Sequence, residues 1–98
     1  MKILAIEHEL RDVDWTTKDA ILKEEASHVY EQYLMGILRE IYFTENKTAV
    51  LILEADSKTE AQKILSLFPL VRENLIRFEV SELLPFDGFG RLLNRNNK

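Results

Sequence analysis

The chain has no cysteine among its 98 residues and only three glycines, Gly36, Gly88 and Gly90. The absence of cysteine excludes disulfide bonds, thiolate nucleophiles and thiolate metal ligands. Three scattered glycines cannot form a glycine-rich phosphate-binding loop, so a nucleotide cofactor is not expected. We predict that the protein works without any cofactor or metal.

The sequence also lacks long apolar runs and clustered basic residues. Its apolar stretch from Ile3 to Ile6 reaches Glu7 too early for a signal-peptide core, so we predict a cytoplasmic protein with no membrane partner. Residues 1–35 hold eight acids and four bases, and residues 36–98 hold nine of each, for a net charge of −4. Nucleic-acid binding needs concentrated Lys and Arg, so no nucleic-acid partner is expected.

Hydrophobic periodicity predicts four β-strands. The first is short and nearly all apolar, the second and third form a hairpin around Asn46-Lys47, and the fourth alternates between apolar and charged side chains. These strands cover 1–8, 37–45, 48–55 and 75–84.

Two helices are predicted between the strands. The first begins at a capping signal formed by Thr16 and Asp19 and ends at Gly36, where glycine accepts a left-handed backbone. The second begins at the capping box Ser57 to Glu60 and stops at Pro69.

The order strand, helix, strand, strand, helix, strand is that of the ferredoxin-like α+β fold, with an antiparallel sheet and strands one and three in its centre. We predict one such domain over 1–98, with a C-terminal tail over 85–98 whose last residues are mobile. Both helices of this fold cover one sheet face. A partly apolar opposite face needs a cover, so we predict a homodimer or higher homo-oligomer that closes a two-chain barrel, sealed by Phe86 and Phe89.

The sequence resembles the dimeric α/β-barrel superfamily and, within it, the muconolactone isomerase-like proteins. The resemblance covers nearly the whole chain and rests on the short first strand, on Gly36 opening the segment to Phe43, and on Leu67-Phe68-Pro69-Leu70 leading into Phe78-Glu79-Val80 and Leu84-Pro85. It implies a small-molecule pocket at the helix-free sheet face of each subunit. It also implies a cofactor-independent isomerase that shifts a proton in an unsaturated lactone, with a monooxygenase as second choice.

The predicted catalytic residues are His8, Glu40 and Tyr42. If Ile76, Phe78 and Val80 face the helices, the alternating residues Arg77 and Glu79 face the barrel. In the same way, Glu40 and Tyr42 face the barrel if Ile41 and Phe43 face the helices. One of the two possible parities of strand one also brings His8 to the barrel. His8 or Glu40 would act as the base, and Tyr42 or Arg39 would stabilise an enolate oxygen. The predicted substrate-binding residues are Arg39, Arg77 and Glu79.

Each candidate also has a structural explanation. A histidine at a strand end is often a surface residue, and alternating charges on edge strands commonly prevent aggregation. Glu24, His28 and Glu31 share a helix face with metal-ligand spacing, but such spacing is common on solvated faces. A non-catalytic metabolite-binding or protein-interaction module therefore stays open as the alternative to an enzyme.

Overall fold

The computed structural model of the protein describes residues 1–93. The chain forms four strands and four helices, and a short 3-10 turn at Trp15–Thr17 precedes the first helix. The elements are β1 Lys2–Glu9, α1 Asp19–Leu34, β2 Leu38–Phe43, β3 Ala49–Glu54, α2 Lys58–Ser66, α3 Pro69–Arg72, β4 Ile76–Leu83 and α4 Gly90–Leu93.

The sheet confirms the ferredoxin-like fold. Its strand order is β2-β3-β1-β4, and every neighbouring pair is antiparallel. The central strand β1 pairs with β4 along its whole length, from Lys2 opposite Leu83 to Glu9 opposite Ile76. The two nearly continuous apolar strands thus lie in the middle and the two charged strands form the edges, as predicted.

Alternation along the strands separates two sheet faces. Ile3 and Ala5 on β1 are fully buried beneath the helices, together with Leu51 and Leu53 on β3. This decides the parity of β1: its other side chains belong to the opposite surface, which no described helix covers. We call that surface the helix-free face; its central residues are Leu4, Ile6, His8, Val50 and Ile52.

The core between helices and sheet is built around Phe68, whose side chain is fully buried. Its ring contacts the rings of His28 and Phe78 edge to face, at centroid distances of 4.8 and 6.0 Å. Burial of an aromatic side chain at such a junction contributes strongly to stability because it removes a large apolar area from water.

A β-bulge at Arg39 sets the orientation of β2. Leu38 lies opposite Leu53, whereas Glu40 lies opposite Ile52, so one residue of β2 has no partner on β3. Leu38 is therefore buried against the helices, and Glu40 joins the helix-free face.

Gly36 ends α1 as predicted, with φ at +79°. The Gly36 amide donates to the Tyr33 carbonyl and the Ile37 amide to the Gln32 carbonyl, which is the Schellman pattern. The capping box is confirmed as well, because the Glu60 amide donates to Ser57 Oγ over 3.0 Å.

The predicted cap of the first helix is wrong. Thr16 lies in the 3-10 turn and donates its amide and its hydroxyl to Asp14 Oδ1, over 3.1 and 2.6 Å. The carboxylate two residues earlier is the stronger acceptor, so it organises the turn and holds the pKa of Asp14 below its usual range. Helix α1 starts only at Asp19, behind Lys18, which makes no side-chain cap.

Pro69 follows the end of one helix and begins the next. Helix α2 ends at Ser66, and Pro69 then occupies the first turn of α3, where its missing amide costs nothing.

The segment after β4 carries exposed apolar side chains. Phe86 and Phe89 pack edge to face at 4.9 Å, yet they are 72% and 62% exposed. The predicted mobility of the chain end concerns 94–98, which lie outside the described residues. Within the described range, no helix is both long and apolar enough to cross a membrane.

Candidate functional site

Five of the six predicted site residues lie on the helix-free face, and Arg39 lies in the bulge of β2. His8 is directly opposite Arg77, and Glu79 is opposite Ile6. Glu40 and Tyr42 lie opposite Ile52 and Val50 at the other edge of the sheet. The face therefore carries two polar groups, one at each edge.

The contacts within each group are direct. His8 Nε2 lies 2.8 Å from Glu79 Oε1, and both side chains are largely exposed. The Tyr42 hydroxyl donates to Glu40 Oε1 over 3.0 Å, and this acceptor raises the pKa of Tyr42. Between the groups, Val50 and Ile6 form an apolar strip two strands wide, about 10 Å across at ordinary strand spacing. A single chain thus does not bring all the predicted residues to one point, and their catalytic roles stay predictions.

A large cleft lies on the other face of the sheet. It lies between α1 and the β2–β3 hairpin and has a volume of about 620 Å³. None of the six predicted site residues lines it. Most of its wall is apolar and includes Leu22, Val29, Ile41, Phe43, Leu51 and Phe68. We call it the helix-side cleft.

Glu25 is an acidic residue on the wall of this cleft. It occupies the apolar face of α1 beside Leu22 and Val29, and its Oε1 accepts the Leu70 amide over 2.9 Å. Burial raises the pKa of Glu25; the hydrogen bond from Leu70 opposes the shift, and the charge of Glu7 adds to it.

Two further carboxylates line the cleft from β1. Glu7 follows Ala5 on the helix-covered side, and its Oε1 accepts the Ala49 amide over 2.7 Å. Glu9, at the exposed rim, accepts the Trp15 indole N–H over 3.1 Å. Each carboxylate thus uses one oxygen to hold the protein's own donor, and Trp15 lines the cleft beside Glu9.

This arrangement suits proton transfer. A carboxyl group whose pKa is raised by burial can carry a proton nearer to neutral pH, and an apolar wall strengthens its interaction with a polar ligand atom. The hydrogen bond from the Leu70 amide holds one oxygen of Glu25 in place on the cleft wall. The cleft provides no comparable histidine.

The sequence analysis did not identify Glu25 and Glu7 as site residues, although each is a charged residue at a core-facing position of its element. Glu25 interrupts the apolar stripe of α1 at helical spacing, three residues after Leu22 and four before Val29. Glu7 continues the buried parity of β1 that starts with Ile3. A charged side chain on a core-facing position is uncommon unless a partner compensates for its burial, and such positions cluster at functional sites.

The candidate metal triad on α1 is not assembled. Glu24 accepts a hydrogen bond from Arg72 over 2.8 Å, and the His28 ring packs against Phe68. Within residues 1–93, no three His, Asp or Glu side chains converge at metal-binding distance. The Nε2 atom of His28 is buried without a hydrogen-bond partner, next to an aromatic ring.

No protein-family model and no curated protein matches the chain. Among solved structures, it is similar to 5-chloro-2-hydroxyhydroquinone dehydrochlorinase (TftG) from Burkholderia phenoliruptrix AC1100, in complex with 2,5-dihydroxybenzoquinone. The TM-score is 0.64 at 12% sequence identity, and the similarity covers 88% of this chain and 97% of the other. At this identity the likeness establishes a shared ferredoxin-like fold.

Proposed function

We propose that the protein binds a small cyclic carbonyl compound in the helix-side cleft and that Glu25 moves a proton on it, as in a cofactor-independent isomerase. The observation that carries this proposal is Glu25 itself: a half-buried carboxyl group with a raised pKa on the wall of an apolar cleft. Groups with such a shift, in a concave site, are the usual acids and bases of enzymes.

The chemistry needs one group that first accepts and then returns a proton. Glu25 as carboxylate would take a proton from the carbon next to the carbonyl, and the electron pair would move into the enolate. The resulting carboxylic acid would return the proton to a more distant carbon of the same conjugated system. No oxidant, reductant or metal is needed, and the product is an isomer of the substrate.

The size and walls of the cleft are consistent with a ring-shaped ligand. Its volume of about 620 Å³ lies within the range of small-molecule sites. The similar structure from Burkholderia was solved with a quinone, a six-membered ring with carbonyl groups. A ligand of that kind could lie between Leu22 and Phe43, with a carbonyl directed towards Glu25.

The same proposal includes a homodimer formed through the helix-free face. Leu4, Ile6, Val50 and Ile52 are half-buried there although no described helix covers them. A second copy of the face would remove this apolar surface from water, and exposed side chains near Phe86 would add to the interface. In this arrangement the helix-side cleft of each subunit stays accessible from outside the barrel.

The test uses α-angelica lactone, a neutral five-membered lactone whose double bond moves into conjugation with the carbonyl when a proton is shifted. Ultraviolet absorbance follows the conjugated product. The native protein should accelerate the isomerisation, and Glu25→Gln should lower the rate by at least about a hundredfold, since Gln keeps the acceptor for Leu70 but cannot carry the proton. Glu31→Gln, an exposed change on the same helix, is the matched control and should retain the native rate.

A second candidate site is the helix-free face, because His8 and Glu79 form a direct pair there at 2.8 Å. In that case His8→Ala or Glu40→Gln would abolish turnover and Glu25→Gln would not, with Arg39, Arg77 and Tyr42 as the supporting residues. Binding of the lactone in the helix-side cleft without turnover in any variant would favour the non-catalytic, metabolite-binding alternative.

A further inference from the structure

Acidic residues outnumber basic residues in the lining of the helix-side cleft. Glu7, Glu9 and Glu25 line it, and Lys47 in the hairpin turn is the one basic residue of the described lining. Arg72, which influences the pKa of Glu25, is held by Glu24 at 2.8 Å and by Glu73 at 3.5 Å and does not line the cleft.

The positions of these acids determine what a ligand meets. Glu9 is at the rim beside Trp15, and Glu7 is deeper, beside Ala49 at the start of β3. An anion entering the cleft would pass one negative charge and stop next to another. The Leu70 and Ala49 amides, which could otherwise bind an anionic group, already donate to Glu25 and Glu7.

From this pattern we infer that the helix-side cleft selects uncharged substrates and excludes carboxylate-bearing ones, with Glu7 and Glu9 as the specificity-determining residues. The inference rests on the proposed function and narrows its substrate class to neutral cyclic carbonyl compounds. It departs from the resemblance to muconolactone isomerase-like proteins, because muconolactone is an anion at neutral pH. Like charges a few ångströms apart in a partly desolvated cleft repel strongly enough to decide between such ligands.

The experiment compares two lactones that share one ring. β-Angelica lactone carries a methyl group where muconolactone carries a carboxymethyl group, so the pair differs by one carboxylate. Trp15 is the single tryptophan of the chain and lines the cleft, so its fluorescence reports binding directly. At pH 7 and low salt, the native protein should bind the neutral lactone at least about tenfold more tightly than the anion.

The variants Glu7→Gln and Glu9→Gln keep the acceptors for the Ala49 amide and the Trp15 indole while removing the charge. Each should tighten anion binding severalfold and leave binding of the neutral lactone nearly unchanged. Added salt should reduce the preference of the native protein in the same direction. Glu31→Gln, an exposed change outside the cleft lining, should leave both affinities unchanged.

The outcomes separate the inference from the proposed function. Equal or tighter binding of muconolactone, or a preference that survives both substitutions, would overturn the inference while the cleft remained a binding site. Failure of both lactones to change Trp15 fluorescence, with the folded state verified by circular dichroism, would reject the proposed function and the inference with it.

Discussion

The two faces of the sheet differ in how deeply their ionisable side chains are buried and in which groups bind them. On the helix-covered face, the acids Glu7 and Glu25 are half-buried and each is held by a backbone amide. On the helix-free face, His8 pairs with Glu79 and Tyr42 with Glu40, in side-chain hydrogen bonds that are exposed to water. Burial raises the pKa of Glu25 in the first setting, whereas charges in the second are screened by water.

This difference shows why residue type alone is a weak guide to a site. Histidine, glutamate and tyrosine on the helix-free face have the side chains that acid–base chemistry uses. The ionisable side chains that line the cleft are three glutamates and Lys47, but one of the glutamates, Glu25, has the environment that such chemistry needs. Burial next to a cavity, more than the presence of a titratable group, distinguishes the two faces.

The largest expected effect is a difference in stability between truncations of two adjacent β3 residues, Leu53 and Ile52, whose side chains lie on opposite faces of the sheet. Leu53 is fully buried under the helices, and Ile52 lies half-buried on the helix-free face. Leu53→Ala should lower the free energy of unfolding by about 2–5 kcal/mol, because it leaves a cavity in the core. Ile52→Ala should cost about 1 kcal/mol in a monomer. Denaturant unfolding of both variants measures the contrast, and equal losses would mean that the helix-free face is buried as deeply as the core.

The second prediction concerns whether a second copy of the chain covers the helix-free face. Val50→Asp places a charge in the middle of the helix-free face. If a second copy covers this face, the dissociation constant of the dimer should rise by about a hundredfold. Sedimentation velocity at several concentrations measures the change. Lys58→Asp on the exposed surface of α2 serves as the control. A native protein that is monomeric at every concentration would show that another surface, or none, mediates assembly.

A smaller effect is expected from the pH dependence of stability. Because the folded-state pKa of Glu25 is raised above its ordinary value of 4.5, the protonated form favours folding. The contribution of this group is therefore fully present below the unfolded pKa and is lost as pH rises through the folded pKa. Glu25→Gln should be more stable than the native protein at pH 7 and equal to it near pH 4. Thermal unfolding at both values checks the sign, which would reverse if the carboxylate were stabilised in the fold.

The smallest effect should come from the His8 and Glu79 pair. Both side chains are largely exposed in the single chain, so in a monomer the pair should contribute less than about 1 kcal/mol. His8→Ala and Glu79→Gln should each leave the melting temperature nearly unchanged. A double-mutant cycle that returned a coupling well above this value would indicate that the pair is buried in an assembly.

Much of the fold was predictable because it depends on short-range patterns. The buried parity of β4, the hairpin around Lys47 and the capping box at Ser57 follow from alternation, turn chemistry and a single hydroxyl. The cap at Thr16 was mispredicted because Asp14, two residues earlier, is a stronger acceptor for the same amide. Local competition between acceptors is visible only once the backbone path is known.

The candidate site was less predictable because it depends on packing between distant elements. Helix α1 leaves the hairpin side of the sheet partly uncovered, so Ile41 and Phe43 line a cleft rather than a filled core. Nothing in the spacing of α1 indicates how closely it approaches β2. The parity of β1, which decides whether His8 or Glu7 faces the helices, likewise depended on its partners.

The sequence by itself determined the order of strands and helices, the antiparallel sheet and the apolar content of its two central strands. These follow from periodicity and turn residues, which act within a few positions of the chain. Only the tertiary structure decided which face holds the cleft and that Glu25 carries a raised pKa there. Both outcomes depend on desolvation, and desolvation is set by contacts between residues far apart in the chain, such as Glu25 and Leu70.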